Sequence, residues 1–134
     1  MARRLSAAAA NAQADALARL LDGGLLRIYS GVQPSSPEAG TGAAALIYEF
    51  RLPTPCAAAS VIGAISFNPA PIERALVGGT MGWFRLLGSD EIPMLDGAIG
   101  IEDGELQVPM LTVAQNVRLS VDQLLYVIDR GVAA

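Results

Sequence analysis

Glycine and proline decide what this chain can fold into. The prolines at 34, 37, 53, 55, 69, 71, 93 and 109 fall between short apolar runs or at their ends. A missing N–H removes no ladder bond at those places. The runs are of strand length. In 44–52, Leu46, Tyr48, Phe50 and Leu52 lie on one face, against Ile47, Glu49 and Arg51 on the other, the period of two of a half-buried strand. Val117, Leu119 and Val121 alternate in the same way with Asn116, Arg118, Ser120 and Asp122. Further strands are expected at 25–30, 60–67, 75–77, 81–87, 98–101, 106–108 and 124–128. Glu102-Asp103-Gly104-Glu105 puts an Asp-Gly pair between two apolar runs, which favours a tight hairpin. Residues 30–42 form the one clear loop. About eight short strands in roughly 110 residues describe a mainly β protein, a β-sandwich with a jelly roll as the leading variant. Residues 25–134 are expected to form this single domain, with 1–24 a helical segment or arm.

The first residues follow a different period. Ser6, an alanine-rich stretch to Leu21 and then Asp22-Gly23-Gly24 have the marks of a capped helix with a glycine stop. Leu5, Ala9, Ala12, Ala16 or Leu17, and Leu20 recur at helical spacing, opposite Gln13 and Asp15. A helix of about four turns is near the length at which isolated helices are marginal in water, and this stripe, with Leu17, Leu20 and Leu21, buries little. The segment therefore reads as an arm, hinged at Gly23-Gly24 and ordered by a neighbouring protein, with Arg3 and Arg4 meeting acidic groups there, and docking of the small-residue stripe on its own domain is the alternative. Asn11 and Gln13 interrupt the apolar run that a secretory signal needs. No window approaches the length of a membrane span, so a soluble protein, intracellular when made, is expected.

Composition bears on partners. Apolar residues make up 52% of the chain and charged ones only 16%, while a folded domain of this mass exposes about 6,700 Å². So much apolar surface in so small a domain points to a covering partner, in a homo-oligomer (dimer or trimer) or a larger assembly. Net charge is −4, and all nine basic residues are scattered arginines, which argues against nucleic acid and suits protein interfaces. Cys56 is the only cysteine. With no basic neighbour to lower its pKa, it reads as an inert, partly buried thiol.

The chain has no histidine and no lysine. Ser-His-Asp and Cys-His nucleophiles, histidine zinc sites, Schiff bases and P-loops are thereby excluded. Asp90-Glu91, Asp96 and the 102–105 acids remain, but a glycosidase pair needs an aromatic cleft that one Trp, three Tyr and three Phe hardly furnish. The acidic loops also lack the oxygen-ligand alternation of a calcium loop. No catalytic residue, cofactor or metal is therefore expected. Trp83-Phe84-Arg85 is the one dense aromatic spot. On a strand Trp83 and Arg85 share a face, either as an interface hot spot or with Trp83 packed beneath the helix or a second sheet.

Three stretches carry a resemblance: Gly24-Leu25-Leu26-Arg27-Ile28-Tyr29-Ser30-Gly31-Val32-Gln33-Pro34, Gly79-Thr80-Met81-Gly82-Trp83-Phe84-Arg85-Leu86, and Asp96-Gly97-Ala98-Ile99-Gly100. In order and kind they resemble small structural proteins of tailed phages and prophages, some of them head decoration (cement) proteins on HK97-type capsids. The resemblance spans about 24–100. It implies a virion component, made in the host cytoplasm, whose partner is the major capsid protein or another virion protein. A neck or minor tail protein is the alternative within that family, and a carbohydrate-binding jelly roll the alternative outside it.

Overall fold

The computed structural model describes residues 5–61, 63–121 and 123–127. Helix α1 (Ala7–Leu21) opens the chain, and the Ser6 hydroxyl caps it by accepting from the Ala9 N–H at 3.0 Å. Among the described residues ten strands follow: β1 (Leu25–Ser30), β2 (Leu46–Arg51), β3 (Ala64–Ser66), β4 (Glu73–Arg74), β5 (Gly79–Leu87), β6 (Pro93–Gly100), β7 (Leu106–Gln107), β8 (Thr112–Val113), β9 (Arg118–Leu119) and β10 (Gln123–Val127). The protein is mainly β, as expected. One hydrogen-bonded path of strands runs β2-β1-β5-β6-β7-β10-β3, with β8 paired to β5, and β4 and β9 form a separate ribbon.

Alternation builds the core. Phe50, Leu26 and Leu86 stand opposite one another across β2, β1 and β5, as do Tyr48, Ile28 and Phe84 in the next core-facing row. They share one cluster with Ile65, Leu106, Val113, Leu119 and Leu124 from the other strands and with Ala14 and Leu21 of α1. Tyr48 keeps its polar tip satisfied by donating to the Val117 carbonyl at 2.7 Å.

Two strand-level expectations are corrected. The Asp103-Gly104 turn does not close a hairpin, because β6 and β7 run parallel, with Ile99 opposite Leu106 and Gly100 opposite Gln107. Gly104 takes a positive φ of 86°. Glu105 then gives its carboxylate to the Ala98 N–H and its carbonyl to the Leu125 N–H, so β10 draws the returning chain into its own antiparallel ladder. Residues 75–77 make no strand. They instead strap the edge of β2, where the Leu76 N–H donates to the Ile47 carbonyl at 2.7 Å.

Nor is α1 an arm. Its buried residues are Ala10, Ala14 and Leu21, a face rotated from the expected stripe. Asn11 Oδ1 accepts from the Gly63 N–H at 2.7 Å, and Asp15 Oδ1 from the Ser60 N–H at 2.9 Å. Gly23-Gly24 is a clamp rather than a hinge: a Cβ on Gly24 would run into the Leu87 carbonyl, and the Gly24 carbonyl accepts from the Leu52 N–H at 2.9 Å.

Candidate interaction surface

The outer face of the β2-β1-β5-β6 sheet carries a row of charge. Register places Glu49, Arg27, Arg85 and Asp96 side by side. Like charges directly opposite destabilise a sheet, so each arginine needs its own carboxylate. Arg27 Nε donates to Glu49 at 2.8 Å, and Arg27 Nη2 to Glu91 at 3.1 Å. Arg85 grips Asp96 bidentately, at 2.7 and 3.0 Å, with side chains only 5% and 3% exposed. The Asp96 hydrogen bond holds the Arg85 pKa above its ordinary value, against the opposing pull of burial.

Trp83 belongs to the same structure. Its ring stacks on Tyr29 at 4.7 Å between centroids, the Arg85 guanidinium lies over it at 5.1 Å, and its Nε1 donates to the Ser30 carbonyl. Arg85 Nη2 also reaches the Ser36 carbonyl at 3.4 Å, tying down the long loop after β1. Trp83 and Arg85 are therefore not exposed interface residues: they are 0% and 4% exposed. Trp83 packs outside the main core, against Tyr29 and the loop, rather than beneath the helix. Alternation placed the two on one face, as read. The pairing of Arg27 with Glu49 and of Arg85 with Asp96 is not foreseen, because cross-strand register leaves no mark in a single sequence.

The helical candidates divide. Leu21 is fully buried and is corrected from interface to core; Leu17 is half-buried; Leu20, 56% exposed, keeps its outward position. Arg3 and Arg4 lie outside the described residues. Cys56 sits beneath the helix, its thiol donating to the Ala18 carbonyl at 3.1 Å and its N–H to Asp22 at 2.8 Å. Burial, with the nearby Asp22 carboxylate, pushes the thiol up to about 12, so it stays protonated and poorly nucleophilic. Asp15 moves the other way, held below its ordinary value by the Ser60 backbone N–H.

What faces solvent is apolar and scattered with unpaired charge. Eleven large apolar side chains are exposed among the described residues, among them Val32, Ile72, Leu76, Ile101 and Met110. An open groove of about 480 Å³ lies between Ile101, Val108, Pro109, Arg118 and Leu119, and Ile101 also borders a second cleft with Glu102, Asp103 and Leu111. A third cleft, of about 680 Å³, runs over β7, β10 and β3, lined by Glu105 and Tyr126 among others. Among the described residues no group of three or more potential metal ligands gathers, and no helix is long and apolar enough to cross a membrane. Compared with protein-family models, curated proteins and solved structures, the chain matches none.

Proposed function

We propose that the chain is a non-enzymatic structural protein of a tailed-phage or prophage virion: a decoration protein that binds the outside of the assembled head and stabilises it, in contact with the major capsid protein or other virion proteins. The observation that carries this reading is the number of large apolar side chains, eleven among the described residues, that a small domain with its own buried core leaves exposed. Apolar patches that a folded monomer leaves uncovered usually mark where a partner sits. The main sheet path and the β4–β9 ribbon enclose one shared core, and we take this as a sandwich-like architecture suited to such a role. Burial of Trp83 speaks against the carbohydrate-binding alternative, since the one indole offers no platform for a sugar. The protonated, buried Cys56 and the ion-paired Arg85 likewise read as structure rather than chemistry.

Cryo-EM of particles, with mass spectrometry for copy number, tests the proposal. A decoration protein occupies many equivalent sites over the shell. Confinement of a few copies to the portal vertex or tail would instead assign it to the neck, and absence from particles would end the virion reading.

A further inference from the structure

Arg74 and Arg118 stand directly opposite each other on the β4–β9 ribbon. Opposed residues of an antiparallel pair project from the same face. Their neighbours Glu73 and Leu119 face inward, and both arginines are exposed. Neither has an ion pair among the described residues, whereas Arg27 and Arg85 in the main sheet are both held by carboxylates. A chain of net charge −4 thus spends two of its few cations as an unneutralised pair on a short ribbon, an arrangement that is unfavourable in isolation. Exposed Ile72 and Leu76 flank it.

The complement lies on the same side of the molecule. Arg118 and Ile101 both line the groove, together with Val108, Pro109 and Leu119. Beyond Ile101, 54% exposed, the second cleft is bordered by Glu102 and Asp103, whose carboxylates make no ion pair among the described residues. In sequence across this surface stand a positive end, an apolar groove, an apolar ridge and a negative end. Such a patch is complementary to itself after a half-turn, the requirement of an isologous contact. We propose that it pairs with a second copy of this chain, Ile101 of each entering the groove of the other and Glu102 and Asp103 of each meeting the Arg74–Arg118 pair opposite. The proposal rests on the reading of the protein as an assembly component and names the homo-oligomer contact within it.

Sedimentation of the isolated full chain tests the pairing without particles, so its failure leaves the virion copy count standing as a separate result. The wild type is expected to dimerise, with a Kd that rises with salt because exposed charges are screened. Arg74→Glu with Arg118→Glu, and separately Glu102→Arg with Asp103→Arg, should each raise Kd by about 100-fold or more, since like charges then face across the contact. A far-UV circular dichroism spectrum matching the wild type confirms that the variants are folded. Mixing the two variants, or combining all four changes in one chain, should restore the dimer. A wild type that stays monomeric, or reversal variants that associate as the wild type does, would overturn the proposal. A monomer whose attachment to particles is nevertheless lost on reversing the arginines would make an acidic virion surface the occupant instead, which also overturns the self-contact.

Discussion

Arg85 and Asp96 show how a charge pair can be buried within a sheet. Removing water from an ion pair costs several kcal/mol per ion, offset only when geometry is good and remaining hydrogen bonds are made. Here both conditions hold: the pair is bidentate, Ser36 takes another guanidinium N–H, and Trp83 lies beneath. Asp96→Ala strands a buried cation and should lower stability by about 3–5 kcal/mol, whereas Arg85→Met with Asp96→Leu should cost far less. Urea unfolding followed by Trp83 fluorescence separates the two. Cys56 gives a pH signature. Its thiol ionises near 9 when unfolded and at about 12 in the fold, so the unfolded chain releases its proton first. The contribution is fully present below pH 9 and is lost as pH rises through the folded value, with a slope of up to about 1.4 kcal/mol per unit. Thiol labelling at pH 8 should be slow until denaturant opens the domain, and rapid labelling of the native protein would contradict the burial. Residue type alone made Cys56 legible as inert. The Arg27 and Arg85 partners were illegible, because strands that meet at Glu49, Arg27, Arg85 and Asp96 are far apart in the chain.

At the scale of elements, local chemistry was readable and docking was not. Ser6 capping, the end of α1 at Leu21 and the bounds of β1 follow from capping and alternation. The buried face of α1 does not, because alanine is nearly silent in a hydrophobic pattern. It is selected by close approach at Ala10 and Ala14 and by the Asn11 and Asp15 hydrogen bonds to the 60–63 loop. Two-residue strands such as β4 and β8 exist only through their partners, and the Asp103-Gly104 signal misled because β10 competes for the chain leaving the turn. The docked helix makes a sharp contrast between adjacent leucines. Leu21→Ala removes a fully buried side chain and should cost about 2–5 kcal/mol; Leu20→Ala at a half-exposed site should stay within about 0.5 kcal/mol. Thermal melts of the two variants check this, and deletion of 1–22 should destabilise the β domain rather than release an idle arm.

For the whole molecule, the mainly β class could be read from turn chemistry, while the parallel β6–β7 step and the separate β4–β9 ribbon could not. Both are settled by long-range pairing, and both place the surface proposed for self-association: the ribbon carries Arg74 and Arg118, and the connection after β6 carries Ile101, Glu102 and Asp103. Decoration has a thermodynamic signature that a fixed ring does not. A protein that binds only the assembled shell stabilises it by RT ln(1 + [L]/Kd), about 1.4 kcal/mol per site at tenfold excess over Kd and about 2.7 at a hundredfold. Particle stability should therefore rise with the logarithm of added protein, with no plateau at the concentration where sites are filled, because free ligand keeps opposing shell opening. A neck component, bound once per particle in a closed ring, gives no such dependence. Heating particles that lack the protein, with increasing amounts added back, reads the difference as the midpoint of shell opening against concentration. A flat line would remove the decoration role even if the copies were found on the head.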